Sequence, residues 1–321
     1  VHYNEIFVNA FRNAGFDVVY QPSCLINNYD QKCWPIKFPD VNWTDNTVVI
    51  MHTQDFVSIS NGKCPELEAI ETYFGGNANR VIVVHWNIDL HTVYDGPLHL
   101  VYFPTHSYEL LNNLAKTQED WNLSLLRKRT KNWQCLNGTT RRHRELVAYY
   151  MQQNFTNGVL SYGERILLSE WDFSTYYGCE NELNWIRLLP VYADCKVNIV
   201  TETQYYESPG IITEKTLMAL LGLQLPIVIG YPGIVAHCKQ LGFDMFEDLL
   251  DYTYDTLSDD ARWRTAIDSN KNVINGNFDR DIIMDRLLAN QDYVLNQWPD
   301  ILVEQFNNNA QDIALRLRQS V

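Results

Sequence analysis

Apolar positions in this chain fall into short β-branched runs separated by amphipathic stretches, and the alternation begins at once. Ile6, Phe7, Ala10, Phe11 and Ala14 recur at helical spacing over 4–14, and Gly15 stops the helix. A strand over 17–20 follows. Further strands are expected over 47–52, 80–86 and 98–103, each too short and too rich in Val, Ile or Leu for a helix. Helices are expected over 65–74, closed by Gly75-Gly76, and over 108–115. Strands alternating with helices predict an α/β fold with a parallel, doubly wound sheet. The segment 21–45 between the first two strands is long, Pro-rich and aromatic (Pro22, Trp34, Pro35, Phe38, Pro39, Trp43), a length uncommon without a purpose.

The second half repeats the pattern. Residues 118–130 are polar and charged and read as an interdomain linker. A strand restarts at 133–137, and Gly138-Thr139-Thr140-Arg141-Arg142-His143-Arg144 leads into a helix over 145–152 and a strand over 159–163. The most informative stretch is 197–233. It reads as a strand over 197–200, a polar loop from Glu202 through Ser208-Pro209-Gly210, then Thr213-Glu214-Lys215, a short helix over 216–223 and a buried strand over 226–230. In open α/β sheets ligands bind at such strand exits. A Glu-Lys pair at a helix mouth offers an acceptor for sugar hydroxyls and a cation for phosphate, beside backbone N–H groups that also favour anions. Taken alone, the same residues also suit a helix start with Thr213 as cap and an acid in the first turn. Helices over 259–268, 279–295 and 299–317 complete the chain. Asp279-Arg280-Asp281 has the Asp-X-Asp spacing of metal-dependent glycosyltransferases, but it lies at a helix start, where the dipole accounts for two carboxylates. No GxGxxG follows any strand, which speaks against a nicotinamide dinucleotide fold.

Composition narrows the classes. The 321 residues suffice for two domains, and 46% hydrophobic with 20% charged residues is ordinary for a globular protein. No apolar run approaches the length that spans a membrane. A net charge of −14 argues against a general nucleic-acid or anionic-membrane binder. Yet seven of the 25 Lys and Arg fall between positions 127 and 144 (among them Arg141, Arg142 and Arg144), with no acid there, and such an island suggests a small anionic ligand such as a pyrophosphate. The basic cluster at 127–131 reads instead as a solvated linker face. Seven cysteines form no CxxC pair, and their odd count fits free thiols in a reducing cytoplasm, a host's if the chain is viral. Sequons at Asn42, Asn122, Asn137 and Asn154 point the other way, although the Asn-rich composition accounts for them.

The stretch 197–233 resembles the donor-binding signature of α1,3-fucosyltransferases. There a strand ends in a Glu-containing loop, and an aromatic-Ile/Val-Thr-Glu-Lys motif opens a small apolar helix that leads to Pro-Val-Val and a Gly. This chain follows through Leu217-Met218-Ala219-Leu220 to Pro226 and Gly230, with Ile211 in place of the usual aromatic. Tyr231-Pro232-Gly233 and Leu241-Gly242-Phe243 also resemble glycosyltransferase-like proteins of phages and marine bacteria. The Arg-rich turn at 138–144 is similar to the start of the same family's donor domain. Together these cover about the second half of the chain. The resemblance implies two Rossmann-like domains facing a cleft (GT-B type), with an acceptor domain over 1–125, a donor domain over 131–295 and a final helix, 296–321, packing back on the first.

It further implies transfer of a sugar from a nucleoside-diphosphate sugar, possibly GDP-fucose-like, to a glycan or other hydroxyl acceptor, without metal and with inversion. Lys215 and an arginine, Arg142 by preference, would stabilise the departing diphosphate. Glu202 or Glu214, with Thr213, would hold the ribose or donor sugar. A general base must come from the other domain, where Asp55 and Asp89 lie just beyond strand ends, with His85 and His91 beside them. No cofactor beyond the donor is implied. Three rivals stay open: an inactive nucleotide-sugar-binding structural protein of a virus particle, a GT-B epimerase, and a glycan-binding module that uses the aromatics between Tyr29 and Trp43. Donor turnover separates the first and third from catalysis, and product analysis separates transferase from epimerase.

Overall fold

A computed structural model describes residues 2–22, 38–53, 64–87, 90–163, 165–168, 181–206 and 211–319. In chain order they form α1 (Tyr3–Asn13), β1 (Asp17–Gln21), β2 (Thr47–His52), α2 (Pro65–Phe74), β3 (Val81–His85), α3 (Leu90–Val93), β4 (His99–Tyr102), α4 (Thr105–Lys116) and α5 (Gln118–Leu125). There follow β5 (Lys131–Asn137), α6 (Arg142–Asn154), β6 (Gly158–Tyr162), β7 (Arg165–Leu168), α7 (Asn181–Asp194), β8 (Cys195–Thr201), α8 (Glu214–Leu221) and β9 (Leu225–Ile229). Helices α9 (Ile234–Gln240), α10 (Asp259–Ser269), α11 (Lys271–Ile274), α12 (Met284–Asp292) and α13 (Trp298–Gln319) complete the chain. It divides into two compact units, one of Val1–Glu109, Pro209–Ile211 and Pro299–Val321, the other of Leu110–Ser208 and Ile212–Trp298.

The first unit is an α/β layer structure on a four-stranded parallel sheet of order β1-β2-β3-β4. Strands β2 and β3 are buried along their whole length, which is why their apolar residues run on rather than alternate. Leu67, Ile70 and Phe74 of α2 cover the face that carries Val49, Met51, Val81 and Val83. On the α1 side, the Phe7 ring lies 5.1 Å from Phe103 and 4.7 Å from Phe306 of α13. The strand order never reverses, so the double winding expected from the sequence is not built by crossovers here. Helices that precede and follow the strands meet at Phe7 instead. Phe38 stacks on Tyr73 at 3.9 Å and Trp43 packs against Phe74, so these two aromatics of the long segment belong to packing; 23–37 lie outside the described residues.

The second unit has a five-stranded sheet of order β7-β6-β5-β8-β9, parallel except for β7 at the edge. Asn137 and Thr201 end adjacent strands, β5 and β8, whose following connections run to opposite sides of the strand order, to β6 and to β9. That reversal is a topological switch point. A Cβ at Gly158 would sit 2.0 Å from the Trp133 ring opposite it, so only glycine lets the indole fill this part of the core.

The stretch expected to be a linker contains α5, whose Trp121 meets Trp185 of α7 edge-on at 5.2 Å. Arg127 and Lys128 are exposed, but Arg129 is buried and corrects the reading of this cluster as a solvated face. Its guanidinium donates to the carbonyls of Leu125 (3.1 Å), Tyr192, Cys195 (2.5 Å) and Gly222 (2.7 Å). Those oxygens stand at the carboxyl ends of α5, α7 and α8, where helices leave carbonyls without partners and carry partial negative charge. Arg280, also buried, shares Leu125 O and adds Leu223 O. Asp279 accepts the backbone N–H of Asp281 at 3.0 Å, as a helix-start acid does. No described helix is long and apolar enough to cross a membrane. Cys64, Cys135, Cys195 and Cys238 are buried free thiols.

Replacing Arg129 by Met keeps the stem and removes the fork, taking the side-chain donor from Gly222 O and leaving Tyr192 O and Cys195 O to Gln224 Nε2 and Leu125 O to Arg280. We expect Arg129→Met to lower the unfolding free energy by about 2–4 kcal/mol in urea titrations. A change below about 0.5 kcal/mol would show that these helix ends do not depend on it.

Candidate anion site at the switch point of the second unit

Thr201 ends β8, and Glu202 N–H still donates to Ile229 O of β9 at 2.9 Å, so the ladder fixes Glu202 at the sheet's carboxyl edge. Gly230 leaves room for it: a Cβ there would lie 3.1 Å from the Glu202 Cβ. The Glu202 side chain is buried and turned inward. Its Oε1 accepts from Thr216 Oγ1 (2.6 Å) and Thr213 N–H (3.3 Å), and its Oε2 from Thr213 Oγ1 (2.5 Å) and Thr203 N–H (3.2 Å). A buried carboxylate demands such partners. Glu202 therefore ties the start of its own loop to the start of α8, and both oxygens are engaged by the protein.

Helix α8 begins where the sequence places a cap. Thr213 has extended backbone, and its Oγ1 accepts the Lys215 N–H at 3.4 Å. Residues 216–221 are all buried, so the helix is anchored by its body and presents its first turn at the sheet edge. Glu214 and Lys215 form an ion pair of 2.5 Å, each about one-quarter exposed. Lys215 Nζ also reaches Thr213 Oγ1 (3.5 Å) and Thr203 Oγ1 (3.4 Å).

The three arginines of the turn after β5 part company. Arg142 is 74% exposed and lies 3.8 Å from Asp260. Arg141 is half-buried at the N-cap of α6. Arg144 is 1% exposed, and its fork spans both loops of the switch point. It donates to Thr139 O (3.2 Å) after β5, to Thr201 O (3.0 and 3.2 Å) at the end of β8, and to Thr203 Oγ1 (3.5 Å). Burial lowers its pKa, with the Glu202 charge opposing. Arg144 and Lys215 thus converge on one hydroxyl, that of Thr203.

Behind them stands a ring stack. His143 lies flat on Tyr205, 4.6 Å between centroids at 5°, and donates from Nε2 to Glu202 O at 3.0 Å. That carbonyl can only accept, which fixes the tautomer. Burial pushes His143 down to about 4, opposed by this bond and assisted by Arg144, Arg141 and Arg262. Buried Arg262 places its guanidinium 4.3 Å from the Tyr205 centroid and donates to Leu257 O (2.6 Å) and Tyr205 O. Arg141, Arg144, Lys215 and Arg262 thus gather around Glu202 and Glu214, with Asp255 and Asp260 acting on the Arg262 and Tyr205 side.

The structure therefore brings Arg141, Arg144, Glu202, Thr213, Glu214 and Lys215 together and sets Arg142 at the rim. Sequence reasoning missed Thr203, Thr216 and His143, which sit inside the motifs but carry no formal charge at neutral pH. It also missed Arg262, which is remote in the chain and has no local signal. Asp55 and Asp89 lie outside the described residues. In the first unit, His85 is fully buried at the end of β3, its ring 5.1 Å from that of His91. Burial lowers it to about 3, with His91 adding, and burial lowers His91 too. Among the described residues no group of three His, Cys, Asp or Glu is placed to hold a metal. Comparison with protein families, curated proteins and solved structures found no match.

His143 makes acid stability a readout of the site. Its folded pKa lies below the unfolded value of 6.5, so below pH 6.5 the unfolded chain takes up a proton that the folded chain refuses. Stability attributable to His143 is thus present at neutral pH and lost as pH falls from about 6.5 towards 4, roughly 2 kcal/mol between pH 7 and 5. Urea titrations at those two pH values should show a decline that His143→Phe reduces by about that amount. An identical decline in both proteins would contradict the burial of a neutral imidazole.

Proposed function

We propose that the chain is a glycosyltransferase of the GT-B type that binds a nucleoside-diphosphate sugar at the switch point of its second unit. One observation carries the reading: a buried arginine and a half-buried lysine meet at the Thr203 hydroxyl, beside the first turn of α8, in a crevice position where α/β sheets take ligands. The fucosyltransferase-like order of the Arg turn, Glu202 and Thr213-Glu214-Lys215 adds the class of donor.

The geometry supports the following chemistry. Breaking the glycosidic bond leaves negative charge on the departing diphosphate. Arg144 is held by backbone carbonyls and the Thr203 hydroxyl, so no carboxylate is bonded to it and its charge is preorganised at the moment of reaction. Lys215 adds a charge-assisted bond by turning from Glu214 towards the phosphate. Glu214, released from that pair, accepts from ribose or donor-sugar hydroxyls. Glu202 is a positioning residue, because its oxygens are occupied in bracing Thr203 and the start of α8. The base that deprotonates the acceptor is assigned to the first unit. His85 and His91, kept neutral and weakly basic by burial, suit that task poorly, which leaves Asp55 and Asp89 as the candidates.

A nucleoside diphosphate, GDP first, should raise the melting temperature, by the equivalent of about 2.7 kcal/mol at 100 times its dissociation constant, in the presence of EDTA. Lys215→Ala should slow donor turnover, or donor hydrolysis where no acceptor is known, by about 10²–10³-fold while the protein stays folded. Glu214→Gln should weaken donor binding more than it slows the reaction, since a hydroxyl contact is made in ground and transition states alike. A folded Lys215→Ala protein with unchanged affinity and rate returns Thr213-Glu214-Lys215 to an ordinary helix start and removes the assignment.

A further inference from the structure

The loop that leaves β8 carries a second feature that phosphate binding does not use. Thr203, where the two cations meet, is followed three residues later by Tyr206, whose side chain is 54% exposed. Its neighbour Tyr205 is 2% exposed and held between three contacts: the parallel His143 ring, the Arg262 guanidinium, and the bond from Arg262 to its carbonyl. Tyr206 meets that fixed ring edge-on, with centroids 4.9 Å apart at 89°. A solitary exposed aromatic needs no explanation, but this one stands on a braced ring rather than on a free loop.

Spacing limits what such a platform could take. Residues 203–206 form an irregular, non-helical run, and three residues of extended chain span at most about 10 Å. A nucleoside diphosphate places its base one ribose away from its phosphates, a separation of the same order. An aromatic face is matched by a planar heterocycle, and every base has one.

We infer that Tyr206 is the stacking platform for the nucleobase of the bound nucleotide, and that it makes this site prefer nucleotides over bare phosphates and purines over pyrimidines. This rests on the nucleoside-diphosphate reading given above. Tyr205, His143 and Arg262 are then positioning residues that hold the platform without touching the base. The purine preference follows from the larger stacking area of a two-ring base. The phenol hydroxyl is not required, so phenylalanine serves as well.

The test is isothermal titration of the full chain with GDP, UDP and inorganic pyrophosphate, for the wild type, Tyr206→Ala and Tyr206→Phe. The wild type should bind GDP more tightly than UDP, and both more tightly than pyrophosphate. Tyr206→Ala should weaken GDP by about 5- to 150-fold, the range of one lost base stack, and leave pyrophosphate within twofold. Tyr206→Phe should keep GDP within about threefold of wild type. Wild-type binding of GDP no tighter than pyrophosphate, or GDP affinity untouched in Tyr206→Ala, overturns the platform while the anion site stands. Equal losses for GDP and pyrophosphate in Tyr206→Ala also overturn it, since they would show a loop that only shapes the anion site. A wild type that binds none of the three removes the nucleotide reading itself, and the platform with it.

Discussion

The second unit is organised by one buried guanidinium. Arg144 lies where β5 and β8 end side by side and their connections diverge, a place where a sheet edge opens and backbone carbonyls lose their ladder partners. An apolar side chain there would take the side-chain donor from Thr139 O and Thr201 O. The arginine satisfies both and, because it bonds to carbonyls rather than to a carboxylate, retains its positive field. The same side chain thus satisfies the strand ends and places a positive charge beside them. Glu202 is the counterpart: a carboxylate at the same edge whose charge is absorbed by hydroxyl and amide donors, so it braces the loop without cancelling the arginine.

How far this was legible in the chain depends on the range of the interaction. Strands such as Thr47–His52 and the β8-α8-β9 unit could be read because apolar runs, Gly and Pro, and a Thr cap act locally. The Thr213-Glu214-Lys215 motif was visible for the same reason. Which arginine of the turn faces the site was not visible, because Arg142 and Arg144 differ only in the helix face they occupy, and the register of α6 decides it. Helix α7 went unread; it carries Pro190 inside it, which signals a break. The linker expected at 118–130 was misjudged because polar composition does not distinguish a solvated segment from one whose arginine, Arg129, is drawn inward by three helix ends. No local pattern reports such long-range capping.

The charge distribution has a consequence for binding. An acidic protein repels polyanions at a distance, while individual cations such as Arg144 and Lys215 act on a small anion within a Debye length, about 8 Å at physiological salt. The proposed diphosphate ligand is small enough to suit that combination. Burial of Arg144 and His143 also fixes those two side chains in advance of any ligand, whereas Lys215 and Arg141 are only partly buried.

The most direct test of this account is a crystal structure of the protein with GDP bound. The diphosphate should lie within hydrogen-bonding distance, about 2.7–3.2 Å, of Lys215 Nζ and of the N–H groups that open α8, with an oxygen at or beside the Thr203 hydroxyl facing Arg144. Diphosphate density away from the β5–β8 switch point, with Lys215 still paired to Glu214, would contradict it.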